Sequence, residues 1–90
     1  MTGLEAAYTA MRLRDHVANP LQNAEGRSYG SVYIPPRDGD TSVFRDGGIV
    51  VIAWEGERVC HLLRVDAGNV SGYQMSDADV EAALVNLEGR

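Results

Sequence analysis

The apolar positions near the start of this 90-residue chain recur at helical spacing. The spacing extends from Gly3 to Ala18, and Asn19-Pro20 follows, where the residue before proline avoids the α region. Thr2 and Glu5 have the three-residue separation of a capping box, which marks a helix start. We therefore predict a first helix over Gly3 to Ala18.

This first helix has two apolar faces rather than one stripe. The first face comprises Leu4, Ala7, Tyr8, Met11 and Ala18, and the second comprises Ala6, Ala10, Leu13 and Val17. One interpretation is that alanines tolerate exposure to water, and the other is that one face contacts a partner chain. Tyr8 and Met11 are candidate partner-binding residues under the second interpretation.

The middle of the chain changes to the period-two alternation that is typical of β-strands. Leu21 to Ser28 is predicted to be a loop. Polar turns and glycines separate the strands. They include an Asp46-Gly47 pair, which favours a type I′ hairpin, and turns at Glu55–Glu57 and Asp66–Asn69. The predicted strands are Tyr29–Ile34, Thr41–Arg45, Gly48–Trp54, Arg58–Val65 and, with Gly72 weakening the pattern, Val70–Met75.

A second helix closes the sequence. Ser76 is its predicted N-cap, acidic residues occupy its first turn, and Gly89 ends it. One core face follows the i, i+3, i+4, i+7 rule at Val80, Ala83, Leu84 and Leu87. The prediction is one α+β domain over residues 1–90: an N-terminal helix, a four- or five-stranded antiparallel meander sheet, and a C-terminal helix.

The central hairpin is apolar on both faces. Ile49 to Trp54 is an unbroken apolar run, and its partner strand from Val59 to Leu63 is largely apolar. With two-residue turns, Val50, Ile52 and Trp54 share a face with Val59, His61, Leu63 and Val65; a three-residue turn would exchange the faces of the fourth strand. Either one helix covers each face, or both helices cover one face and a partner covers the other, since monomers rarely expose large apolar patches.

Composition narrows the classes of partner and compartment. The net charge is −5, the eight basic residues are scattered arginines, and we therefore expect no direct nucleic-acid binding. Cys60 is the single cysteine, and no apolar stretch reaches the ~20 residues of a membrane span. The first ten residues lack the pattern of a signal peptide, so we expect a cytoplasmic protein without membrane contact.

Two groups of residues are candidates for partner binding besides the first helix. Tyr29 and Tyr33 share one face of their strand, where they either pack under a loop or contact a partner. The predicted meander also brings two acidic turns to the same end of the sheet, forming an acidic rim that could solvate this end, hold a cation or contact a basic partner surface. The rim comprises Asp38, Asp40, Glu55 and Glu57.

The sequence carries little that suggests catalysis. Cys60 and His61 are adjacent on a strand, so their side chains point to opposite faces and cannot pair as nucleophile and base. The histidines and the cysteine lack the spacing of a zinc site, and no phosphate-binding loop precedes a helix. We expect no catalytic residues, no metal and no cofactor.

The leading hypothesis is a non-catalytic protein-interaction module: an adaptor or an inhibitor that occludes a basic partner surface, and a homodimer. The alternative is a small-ligand-binding domain with a pocket between helix and sheet. Trp54, His61 and Tyr73 are the candidate residues of that pocket.

Overall fold

The helices and strands were assigned in a computed structural model, which describes residues 3–65 and 72–89. Predictions for Thr2, for the turn at Asp66–Asn69 and for the start of the last strand at Val70 lie outside the described residues. The elements in chain order are α1 (Gly3–Arg14), β1 (Leu21–Gln22), β2 (Ser28–Ile34), β3 (Gly48–Glu55), β4 (Arg58–Val65), β5 (Gly72–Gln74) and α2 (Asp77–Glu88).

The five strands form one open antiparallel sheet in the order of the chain. Val32 of β2 lies opposite Val50 of β3, and Val51 of β3 lies opposite Leu63 of β4. The predicted class is confirmed: the fold is α+β, with a helix at each end of the chain and an antiparallel meander between them.

Both helices pack on the same face of this sheet. Leu13 of α1 and Leu84 of α2 belong to one buried cluster with alternate residues of β2 and β3. This arrangement buries the apolar stripe of each helix against the sheet, as a two-layer domain requires. The cluster comprises Leu13, Val32, Ile34, Phe44, Val50, Ile52, Met75, Val80, Ala83 and Leu84.

Helix α1 ends at Arg14, four residues before the predicted end at Ala18. Beyond Arg14 the backbone tightens: the amide of His16 donates to Leu13 (3.1 Å) and that of Val17 to Arg14 (2.9 Å), three residues back. The tighter turn brings Val17 down onto β2, where a Cβ added to Gly30 would lie 2.2 Å from Val17 Cγ1. Contact with the sheet therefore overrides the local helical pattern.

The predicted strand at Thr41–Arg45 is wrong. Residues 42–46 form successive turns, in which the amide of Arg45 donates to Ser42 (3.1 Å) and that of Gly47 to Phe44 (2.9 Å). The Asp46-Gly47 hairpin is consequently wrong as well, because no strand precedes it. The turns direct Phe44 into the core, where its side chain is fully buried.

The segment predicted as a loop from Leu21 to Ser28 contains the short strand β1, which pairs with the start of β2. The Asn23 side chain stabilises the connecting turn by accepting from the amides of Glu25 (3.1 Å) and Arg27 (3.0 Å). Asparagine is favoured in turns because its side chain makes such local bonds. Strand β1 could not be predicted from the sequence, because its two residues are too few to give an alternating pattern.

Helix α2 begins and ends as predicted. The Ser76 hydroxyl accepts from the Asp79 amide (3.2 Å), and the Asp79 carboxylate accepts from the Ser76 amide (3.3 Å). This reciprocal pair satisfies two amides that the first turn leaves without partners. Gly89 ends the helix at a φ of 60°.

A β-bulge in β4 changes the predicted face assignment. Trp54 pairs with Val59, but Ala53 pairs with His61, so Cys60 is an extra residue without a counterpart in β3. Beyond the bulge every residue of β4 lies on the face opposite to the one expected from a regular two-residue turn. His61, predicted to share a face with Val50, Ile52 and Trp54, therefore lies on the other face, opposite Ala53.

Candidate functional site

The face of the sheet that points away from the helices is the most conspicuous surface of the molecule. We call it the open face. Its rows follow from the strand register, in which Tyr33, Ile49 and Val65 form one row. Its members are Leu21, Tyr29, Ser31, Tyr33, Ile49, Val51, Ala53, Glu55, Arg58, His61, Leu63, Val65 and Gln74.

Large apolar side chains of the open face are in contact with water. Tyr33 is 62% exposed, Leu21 60%, Ile49 42% and Tyr29 39%. Val51, Leu63 and Val65 lie between them and are half-buried by their neighbours in the sheet. The rows thus form a continuous apolar surface, which the described part of the chain leaves uncovered.

The bulge in β4 is what concentrates apolar residues on this face. In a regular register, with Cys60 opposite Ala53, the side chains of Leu63 and Val65 would point toward the helices, and Arg64 would point outward. Because the bulge leaves Cys60 unpaired, Leu63 lies beside Val51 and Val65 beside Ile49. Arg64 instead lies on the helix side, with its guanidinium 5.4 Å from the ring centroid of Tyr73.

Formal charge is confined to the margin of this surface. Among the described members of the open face the Asp, Glu, Lys or Arg side chains are those of Glu55 and Arg58, which lie opposite each other at the ends of β3 and β4. The other ionisable side chains are those of His61 and the two tyrosines. At one end of the face, Glu55 pairs with Arg27 at 3.5 Å. The net charge of −5 is therefore carried elsewhere on the molecule.

The residues predicted to bind a partner fall into separate groups. Tyr29 and Tyr33 lie together on the open face. Tyr8 is exposed and Met11 half-buried on α1, on the helix side of the sheet. The core contacts of α1 come from Ala10 and Leu13, so the other apolar face of this helix is the outer one.

The predicted acidic rim does not exist as one surface. The loop that carries Asp38 and Asp40 joins the Ile34 end of β2 to Gly48, whereas the turn with Glu55 and Glu57 follows the opposite end of β3. Since residues 41–45 are not a strand, the meander has one reversal fewer than predicted. The two acidic turns consequently lie at opposite ends of the sheet.

The Asp40 carboxylate is engaged within the molecule. It accepts from the amide of Ser42 (2.7 Å) and from Nδ2 of Asn86 (2.8 Å), a buried residue of α2. Asn86 Nδ2 also lies 3.3 Å from the carbonyl oxygen of Phe44. Asp40 and Asn86 therefore hold the loop against α2 and keep Phe44 in the core.

These hydrogen bonds make stability depend on pH. The Ser42 amide, followed by the Ser42 hydroxyl and the Asn86 amide, lowers the pKa of Asp40 below its ordinary value. A carboxylate with a lowered folded-state pKa stabilises the protein above the unfolded-state pKa, and this contribution is lost as the pH falls through the folded-state pKa. We expect the melting temperature of the wild type to fall more steeply than that of Asp40→Asn as the pH decreases below about 4.

The matched control is Asp38→Asn, which removes an exposed carboxylate from the same loop. Thermal unfolding followed by circular dichroism between neutral and acidic pH should give Asp38→Asn the slope of the wild type. Equal slopes for Asp40→Asn and the wild type would contradict a stabilising role for the ionised Asp40.

The residues proposed for a ligand pocket are not brought together. Trp54 lies on the helix side, where the Arg14 guanidinium is 5.9 Å from its ring centroid, and His61 lies on the open face. Tyr73 pairs with Arg64 at the β5 edge, in the row of Val50, four residues along β3 from Trp54. At ~3.3 Å per residue this separates the two aromatic side chains by about 13 Å along the strand.

A cleft of about 320 Å³ is present between α1, β4 and the start of α2. Its wall includes Cys60, whose Sγ lies 3.9 Å from the carbonyl oxygen of Arg58, together with Leu62, Met75 and Val80. His61 points to the other side of the sheet, so its imidazole and the Cys60 thiol are apart.

Over residues 3–65 and 72–89, no group of three histidine, cysteine or acidic side chains could hold a metal ion.

Most of the open face was not among the residues predicted to bind a partner. The sequence prediction selected Tyr29 and Tyr33 but omitted Leu21, Ile49 and Leu63. The signal for Ile49 and Leu63 was present in the apolar character of both sides of the central hairpin. The bulge places Leu63 on the same face as Ile49, and the pairing of β1 with β2 places Leu21 there; neither feature could be seen in the sequence.

Within the described residues, neither helix is both long and apolar enough to cross a bilayer. The comparisons with known proteins return no relative: no family model matches the chain, and no curated protein or solved structure gives a match.

Proposed function

We propose that this protein is a non-catalytic protein-interaction module that binds its partner through the open face. The observation that carries the proposal is the position of both helices on one side of a sheet whose other side is apolar. Soluble monomers rarely leave a continuous apolar patch of several hundred Å² in water, and such patches commonly mark sites of protein contact.

The composition of the open face indicates the kind of contact. Tyr29 and Tyr33 offer rigid aromatic area with a polar tip, and aliphatic side chains of β3 and β4 lie beside them. Interface cores are depleted of charged residues and enriched in aromatic ones. An apolar protein surface suits this face better than the basic surface inferred from net charge, because its acidic residue Glu55 lies at one end, opposite Arg58 and paired with Arg27.

Two features support a binding role without catalysis. Cys60 and His61 point to opposite sides of the sheet, so neither activates the other. Asp40 has a structural role, because its carboxylate accepts hydrogen bonds from Ser42 and Asn86 and holds a loop in place. The proposal includes a cytoplasmic location, which a single cysteine suits.

A two-tag capture experiment in the native cell tests this proposal. The chain is co-expressed with a second copy that carries a different tag, and Ile49→Glu is compared with the wild type. We expect a bound protein, either the second copy or another chain, to be captured by the wild type and lost with Ile49→Glu. A carboxylate buried without a partner at an interface carries a desolvation penalty of several kcal/mol.

Val85→Glu is the matched control, since Val85 is 51% exposed on α2 and the change adds the same charge. It should capture the same protein as the wild type, and thermal unfolding should show that both variants fold. Capture that Ile49→Glu leaves intact, or that Val85→Glu abolishes equally, would rule out the open face as the binding surface.

A further inference from the structure

We infer that the occupant of the open face is a second copy of this chain, related to the first by a two-fold axis through the face. This inference rests on the proposed function and specifies its partner. In the dimer the two sheets stack face to face and the helices form the two outer layers. Three properties of the molecule are consistent with a second copy, and the second of them bears directly on contact between identical surfaces.

The first property is area. At ~3.3 Å per residue and ~4.8 Å between strands, the five strands cover roughly 450 Å² in projection. Two such faces give about 900 Å² before the relief of the side chains is added, which is close to the ~1,000 Å² that specific interfaces exceed. With side-chain relief added, the open face reaches the lower end of the area that a specific dimer buries.

The second property is self-complementarity. In a two-fold dimer each copy presents the same patch, so a charged patch would meet its own charge. The charged residues of the open face, Glu55 and Arg58, lie opposite each other at one end and cancel in formal charge, although the whole chain has a net charge of −5. The other acidic residues of two copies would stay outside the contact, where water and salt screen their repulsion.

The third property is thickness. The shortest principal extent of the molecule is 21 Å, which fits one sheet and one helix layer about 10 Å apart. A chain of 90 residues buries a modest share of its surface and gains stability from association. Stacking two sheets gives each the second layer that its apolar side lacks, with a spacing of ~10 Å.

Sedimentation equilibrium of the purified chain tests this inference. Over about 1 to 500 µM, a range that covers micromolar dissociation constants, the mass should rise from 9.8 kDa toward twice that value. Tyr33→Glu should raise the dissociation constant at least about 30-fold, as loss of an interface hot spot does. Tyr33 is 62% exposed, so this variant should keep the fold of the single chain.

Val85→Glu should dimerise like the wild type, and Ile49→Glu repeats the test at a second position if Tyr33→Glu does not fold. A wild type that keeps the mass of one chain at every concentration would overturn the second copy as occupant. A dimer that both open-face variants leave intact would overturn it too, because another surface would then form the contact. The proposed function fails separately, when the native cell yields no protein whose capture depends on Ile49.

Discussion

Replacing Phe44 with alanine should lower the free energy of unfolding by about 3–5 kcal/mol, the range measured for aromatic side chains deleted from cores. Phe44 is fully buried although it lies in a turn, and it closes the end of the core near Gly48. Domains of this size have only about 5–15 kcal/mol in total. Urea denaturation at neutral pH measures the change, with the midpoint shifting at an unchanged slope.

Val43→Ala is the control for this experiment, because Val43 is the preceding residue and is 49% exposed. It should change stability by less than about 1 kcal/mol. Phe44→Leu should lie between the two, since it keeps most of the apolar volume. Equal effects at positions 43 and 44 would contradict the turn conformation, which buries Phe44 and exposes Val43.

The outcome at Phe44 illustrates why a local pattern can predict the wrong element. Thr41, Val43 and Phe44 are residue types that strands favour, and the hairpin dipeptide Asp46-Gly47 follows closely. The structure resolves the choice through Asn86, which lies 42 residues beyond Phe44 and donates to its carbonyl oxygen. An interaction at that separation cannot be read from a short sequence window.

The features that could be predicted depend on neighbouring residues. The capping box of α2 lies within four residues, and the long apolar runs of β3 and β4 define a hairpin independently of the rest of the chain. The end of α1 could not be predicted, because it depends on Val17 meeting Gly30 across the fold. Local order was thus readable from the sequence, and contacts over distance were not.

The open face shows the same division between local and distant information. Apolar character on both sides of the hairpin was visible in the sequence, and it allowed either one helix on each side or both helices on one side; the structure has both on one side. The composition of the other side depended on the extra residue Cys60 in β4. The bulge shifts the register of β4 by one residue, so every later side chain of β4 points to the face opposite to the one that regular alternation predicts. The face assignment therefore required the structure.

Gly47 is the second position at which we expect a large loss of stability. Its φ is 83°, and a Cβ added there would lie 2.9 Å from the carbonyl oxygen of Ile34 and 3.1 Å from Cδ of Pro36. Gly47→Ala should therefore lower the free energy of unfolding by about 1–2 kcal/mol for the left-handed backbone and by about 1–3 kcal/mol for the steric overlap. Urea denaturation again measures the sum.

Gly39 supplies a control that separates these two contributions. It has the same φ of 83°, but a Cβ added there meets nothing within 4 Å. Gly39→Ala should consequently show the backbone contribution alone, reduced by the smaller entropy of the unfolded chain. The difference between the two variants measures how closely the turn at Gly47 packs against the end of β2, and equal losses would mean that the loop between β2 and β3 does not take this path.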